Sequence, residues 1–219
     1  MCNRYPHQLH IALGGRMAKN DERDTARIHF FDTHACQWEE RNYTPEKLAR
    51  VDHMIAGLAL DKEGISVLDV GCGEGVLQPF LHKHAGRGTH FFALDASSAM
   101  LESVAARFPD VQTFHARAES MPLPDASIDV LICFSAFPHF ADKPAAAREF
   151  YRVLKQGGMA YVLHLDGREK LNALHDRHHA VKGDHLPCPA GMRHIFREAG
   201  FAHTTADESQ DHYRFSARK

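Results

Sequence analysis

Val67-Leu68-Asp69-Val70-Gly71-Cys72-Gly73-Glu74-Gly75 reads as a short apolar β-strand running straight into a glycine-rich turn. A helical pattern follows, with Val76, Leu77, Phe80 and Leu81 at i, i+1, i+4 and i+5. Gly71, Gly73 and Gly75 let the backbone take positive φ and approach a ligand where a Cβ would clash. The helix then aims its first free N–H groups at the same spot. A strand, a glycine turn and a helix in this order predict a nucleotide-type cofactor site at the strand's carboxyl end.

Asp95 adds a second contact, 20 residues beyond Gly75. It closes a second apolar run, Thr89-His90-Phe91-Phe92-Ala93-Leu94, where a carboxylate suits the two hydroxyls of a ribose. The same position also suits an aspartate capping a helix that starts near Ser97, and the two roles are compatible. The turn is G-x-G-x-G, whereas the dinucleotide fingerprint of dehydrogenases needs G-x-G-x-x-G. No Walker lysine pattern points to a nucleoside triphosphatase.

The stretch Val67–Gly75, followed by Ala93-Leu94-Asp95-Ala96-Ser97 and Met100-Leu101, resembles the class I S-adenosylmethionine (SAM) methyltransferases of the small-molecule, UbiE-like type. Ala118-Glu119-Ser120-Met121-Pro122-Leu123-Pro124 and Phe150-Tyr151-Arg152-Val153-Leu154-Lys155-Gln156-Gly157-Gly158 fall in that family's order. The resemblance covers residues 30 to 219. It implies methyl transfer from SAM to a small-molecule acceptor, leaving S-adenosylhomocysteine. It further implies that Asp69, Gly71, Cys72, Gly73 and Gly75 hold the methionine part of SAM and that Asp95 and Ala96 meet the ribose. Ala118 and Glu119 would lie along the adenine, and Cys133 and Phe134 would touch the cofactor. The family often has an acidic residue just before that alanine; here it is Arg117, which puts the adenine-amino contact on Glu119 or on backbone.

From Ile65 strands and helices alternate, which predicts an α/β fold with a mainly parallel sheet covered on both faces. Expected strands are 66–70, 89–94, 111–115, 128–134, 159–165, 201–206 and 212–217, with helices over 75–85, 97–107, 143–154 and 189–199. The resemblance makes this a Rossmann-like, seven-stranded sheet with an antiparallel last strand. Residues 1–63 read as an N-terminal extension, loosely ordered over 1–25, and a helical cap. Residues 64–219 read as the SAM-binding core, with a His-rich lid insertion at 166–188. Phe30, Phe31 and Trp38 either fold over the cofactor, as in many relatives, or pack a surface helix. Thr44 and Pro45 start a helix whose apolar face is Leu48, Val51, Met54, Ile55 and Leu58.

The chain has 219 residues, enough for one domain with a full core. Its net charge of −2 offers no basic field for nucleic acid. The Asn-Pro-Pro-Tyr type motif of amino-methylating nucleic-acid enzymes is replaced by Ser135-Ala136-Phe137-Pro138-His139-Phe140. No apolar run reaches the ~20 residues needed to span a bilayer, and residues 1–7 lack a signal-peptide h-region. Five scattered cysteines argue for reduced thiols and a cytoplasmic location. Oligomeric state is not legible.

The 18 histidines are dense after position 160. His139, at the expected mouth of the site, could serve as a base, orient an acceptor, or cap the next helix. His164 ends the fifth strand. Asn172, His175 and His179 share one face if residues 168–181 are helical. His139, His164 and His175 are therefore the candidate catalytic residues. No metal ligand is assigned, but converging imidazoles would also suit zinc, nickel or iron. The alternative function is accordingly a metal-linked SAM protein, either a metal sensor or an enzyme methylating a metal-bound group. The segment 184–188 reads as a solvated loop or a further part of the lid.

Overall fold

Short, fully apolar strands separated by amphipathic helices can satisfy their backbones and bury both faces only as a parallel sheet between helical layers. The computed structural model of the chain has this form and describes residues 22–219. Most of the loosely ordered extension expected over 1–25 thus lies outside the described residues. The strands are β1 (Ser66–Val70), β2 (His90–Asp95), β3 (Gln112–His115), β4 (Ile128–Phe134), β5 (Leu154–His164), β6 (His203–Glu208) and β7 (Tyr213–Arg218). They form one sheet in the order β3-β2-β1-β4-β5-β7-β6. The first five run parallel, and β7 pairs antiparallel with both β5 and β6. Chain direction across the sheet reverses between β1 and β4, and this switch point opens a crevice at their carboxyl ends.

The helices are α1 (Glu22–His34), α2 (Trp38–Asn42), α3 (Pro45–Ala56), α4 (Gln78–His84), α5 (Ser98–Arg107), α6 (Lys143–Val153), α7 (Arg168–Arg177) and α8 (Pro189–Glu198). Strand periodicity sorts the core into two layers. Leu68, Val70, Leu131 and Cys133 face α6 and α8 through Phe150, Met192 and Phe196. Val67, Val130, Ile132 and Phe134 join Val51, Met54 and Ile55 of α3 and Leu81 of α4 on the other face. The N-cap of α3 forms as the sequence predicts, with Thr44 Oγ1 accepting from Lys47 N and Pro45 in the first turn. None of the described helices is long and apolar enough to cross a membrane.

Three local expectations are corrected. The first core helix begins at Gln78, because residues 74–77 form a turn after the glycines. β5 begins at Leu154 rather than Met159, so the Gly157-Gly158 pair lies inside a strand at a bulge. Gly157 has φ +79°, and a Cβ on Gly158 would lie 2.9 Å from Lys155 O and 3.0 Å from Asp129 O, an approach only glycine permits. The helix expected over 168–181 stops at Arg177; His178 is extended and residues 179–181 make a 3₁₀ turn. His179 is consequently exposed and leaves the face shared by Asn172 and His175.

Candidate active site

The carboxyl ends of β1 and β2 are tied together before any side chain contributes. Gly71 N and Cys72 N both donate to Leu94 O, at 2.7 and 3.2 Å. Gly71 has φ +72°, and a Cβ there would stand 2.4 Å from that of Ala136, so the loop after β4 can close onto the turn only if this residue is glycine. Gly73, at φ +53°, is different: the nearest atom to a Cβ would be Met100 Sδ at 4.0 Å, which leaves its backbone open to the cavity.

Asp95 is oriented by the same backbone. Gly73 N donates to its Oδ2 and Ser97 N to its Oδ1, each at 2.9 Å. The cap of α5 is the Ser97 hydroxyl, which accepts from Met100 N at 3.2 Å. Asp95 is therefore held by two amides, with its remaining lone pairs beside the cavity. Asp69 is 1% exposed. Gln78 Nε2 donates to it at 3.2 Å. Burial, and then the charge of Asp95, push its carboxyl up to about 8. Asp95 is also raised by burial, partly offset by the amides of Ser97, Gly73 and Ala96. A cation between these two groups would favour the charged form of both.

These groups floor a cavity of about 150 Å³ at the switch point. Asp69, Gly71, Cys72, Gly73, Asp95, Ala96, Ala118, Glu119, Phe134 and His139 all line it. Gly75 and Cys133, also expected at the cofactor, are not among the lining residues. A Cβ on Gly75 would sit 3.2–3.3 Å from Phe108, Gln78 and Val104, so this glycine serves packing of the turn against α5. Cys133 is 0% exposed and points into the opposite core layer, because neighbouring residues on a strand face opposite sides.

The roof comes from α1 and α2, with α1 tied to the segment after α7. Phe31 and Trp38 line the cavity and meet edge to face with ring centres 5.3 Å apart; Phe31 also meets His139 at 5.2 Å. Phe31 and Trp38 thus border the site, while Phe30 packs against His34, Trp38 and His178. Beneath this aromatic segment lies an ion-pair clasp. Arg27 of α1 donates through Nε (2.7 Å) and Nη2 (2.8 Å) to the two oxygens of Asp184, and through Nη1 (2.8 Å) to Asp24. Asp24 also accepts from Arg117, whose side chain is further flanked by Glu119 at 3.6 Å. The cation at position 117 is therefore neutralised from α1. Asp24, Arg27 and Asp184 are buried. The solvated-loop reading of 184–188 fails at Asp184, although His185 beside it is exposed and bonded to Asp176.

Asp184 organises two of the candidate histidines. Its Oδ2 accepts from His139 Nδ1 at 2.9 Å, and its backbone carbonyl accepts from His175 Nδ1 at 2.6 Å. Burial opposes its charge, but the hydrogen bonds from His139 and Arg27 outweigh that and hold it at about 2. An ionised carboxylate only accepts, so His139 carries its proton on Nδ1 and, when neutral, presents a lone pair at Nε2. Burial lowers the pKa of His139, against the pull of Asp184. His139 does not cap α6; Asp142 does, accepting from Ala145 N at 2.8 Å.

His164 and His175 stand behind His139 and do not line the cavity. The rings of His139 and His175 are 4.9 Å apart. His164 is 2% exposed, and its Nε2 has no hydrogen-bond partner. Burial, then the neighbouring His139 and His175, push it down to about 3. It ends β5 on the inside of the sheet, where the strand closes against β7 instead of opening on the crevice. Asn172 is structural too, exchanging hydrogen bonds with the backbone of Leu186 at 2.8 and 3.2 Å. Among the described residues, no group of three His, Cys, Asp or Glu side chains is arranged to hold a metal ion.

The residues that sequence reasoning missed are Asp24, Arg27, Tyr43 and Ser135. The i, i+3 spacing of Asp24 and Arg27 was the one available signal. Ser135 adopts φ +54° at the end of β4, a conformation unusual for a residue with a side chain and concentrated at functional sites. It bonds Tyr43, which burial raises to about 12. Both residues line the cavity.

The methyltransferase domain family matches residues 68–162. A probable SAM-dependent methyltransferase of Mycolicibacterium smegmatis is 37% identical over 99 residues, 45% of this chain and 37% of that protein. The ubiquinone/menaquinone biosynthesis C-methyltransferase of Campylobacter jejuni is 31% identical over 113 residues, 50% of this chain and 48% of its own. The chain thus spans less than half the length of these relatives. A Thermotoga maritima SAM-dependent methyltransferase, described as a possible histamine N-methyltransferase, superposes with a TM-score of 0.70 at 20% identity, covering 88% of this chain and 99% of that one. Residues 68–162 thus match the methyltransferase domain family, and the motifs and sheet order of the chain are similar to those of class I SAM-dependent methyltransferases.

Proposed function

We propose that the protein transfers a methyl group from SAM to a small molecule. The observation that carries this reading is the pair of carboxylates at the switch point, buried Asp69 and half-buried Asp95, beside the open backbone of Gly73. This is a carboxyl cradle that a ligand with a positively charged sulfonium and ammonium would draw into its anionic form. Asp69 and the 71–73 turn would hold the methionine part, Asp95 and Ala96 the ribose, and Ala118, Glu119 and Phe134 the base. SAM supplies an electrophilic methyl group on sulfur. The chain contributes alignment and exclusion of water, for which we read residues 22–42 and 166–188 as the cover. His139 is the candidate histidine placed on the acceptor side.

A small acceptor suits a cavity roofed by α1, and the near-neutral charge of the chain gives no attraction for a nucleic acid. The test is calorimetric titration of SAM into metal-stripped protein, repeated with zinc, nickel or ferrous iron. The expected result is SAM binding indifferent to metal, and release of S-adenosylhomocysteine when an acceptor is supplied. No binding without metal would overturn the reading.

A further inference from the structure

We propose that His139 is the general base of the transfer, positioned by Asp184 and Arg27, and that the acceptor is a planar molecule carrying an O–H group. This rests on the methyltransferase reading and deepens it. The carboxylate of Asp184 fixes His139 with its proton on Nδ1. Arg27 grips both oxygens of that carboxylate from α1. The free Nε2 belongs to a ring that borders the cavity together with Phe31, Trp38 and Phe140, and flat apolar rings favour a flat acceptor.

In the reaction the acceptor oxygen gives its proton to His139 Nε2 as it bonds to the methyl carbon. The carbon–sulfur bond breaks with its electron pair going to sulfur, and the imidazolium is stabilised by Asp184. Because Arg27 comes from α1 and Asp184 from the segment after α7, the base is assembled only when both covers are closed over the site. The other charged or titratable groups facing His139 are His175 and His164 on the core side.

The first readout needs no turnover. In ¹⁵N-histidine-labelled full-length protein at neutral pH, His139, assigned by its loss in His139→Gln, should be the Nδ1–H tautomer. In Asp184→Asn the Nε2–H form should become populated. An Nε2–H tautomer in the parent, or no change in the variant, would overturn the positioning role.

The second readout is methyl transfer to two probes at pH 7.5, a phenol that arrives protonated and a thiophenol that arrives ionised. General-base catalysis contributes on the order of 10²–10⁴-fold. His139→Gln should therefore slow the phenol at least ~10²-fold and Asp184→Asn ~10-fold or more, with the thiophenol within ~3-fold of the parent. Equal losses on both probes would make the pair structural, and unchanged phenol rates would remove the base. A protein that binds SAM yet methylates no phenol would overturn the acceptor class alone. Failure to bind SAM would strike the underlying reading instead.

Discussion

The floor and the roof of the cavity are built by different means. In the floor, Asp95 is held by the amides of Gly73 and Ser97, and the 71–72 turn by Leu94 O, so the geometry follows from backbone that the strands already order. In the roof, α1 is joined to the segment after α7 through arginine side chains, Arg27 and Arg23 reaching Asp184 and Arg23 the carbonyl of Lys182, across more than 150 residues of chain. Backbone anchoring makes a site that exists whenever the sheet exists. A side-chain clasp makes one that can open, because local unfolding starts where few bonds hold a segment.

The largest effect should come from cutting the clasp. Arg27→Met leaves Asp24 and Asp184 as buried carboxylates stripped of their main partner, a loss of about 3–5 kcal/mol for a pair of this kind. Hydrogen exchange should accelerate throughout α1 while β1 and β2 keep their protection. If both regions accelerate together, roof and floor are one cooperative unit and the contrast fails.

A floor variant should do the reverse. Asp95→Ala is expected to leave α1 protection unchanged and weaken SAM binding by about 1.5–3 kcal/mol, the scale of lost charge-assisted hydrogen bonds. Unaltered affinity in calorimetry would refute the ribose assignment.

The two regions should also respond oppositely to pH. His164, behind the roof, is pushed down to about 3. The unfolded chain therefore binds the extra proton first, and stability falls as pH drops from about 6.5 toward 3, by about 1.4 kcal/mol per pH unit. Asp69, in the floor, is pushed up to about 8. Here the folded protein keeps the proton, and stability falls as pH rises from about 4 to 8 with a similar slope. Denaturant melts of His164→Leu should show a weaker acid loss between pH 6 and 4.5. Those of Asp69→Asn should flatten the decline between pH 6.5 and 8. Slopes identical to the parent would dismiss the corresponding group.

The smallest signal is the proton that SAM displaces. If the sulfonium and ammonium settle near Asp69, binding at pH 7 should release up to about one proton, since the group is largely protonated beforehand. Binding enthalpies measured in phosphate and Tris buffers would differ accordingly. Equal enthalpies would place the positive charge elsewhere.

The amino-acid sequence alone determined the sheet, its strands and most of the floor. The reason is that these depend on short-range patterns: apolar runs, glycines at the turn, and an aspartate at the end of the next strand. Only the tertiary structure decided which of those residues face the cavity. Strand alternation sends Phe134 toward it and Cys133 away, and the packing of α5 occupies the space beside Gly75. The roof was the least legible part. Arg27, Asp184 and His139 lie far apart in the chain, and no local periodicity records a contact formed by three polar side chains meeting beside a pocket. Three histidines looked equivalent in the sequence. One borders the cavity and two are buried behind it, because a break at His178 and the pairing of β5 with β7 set their depth.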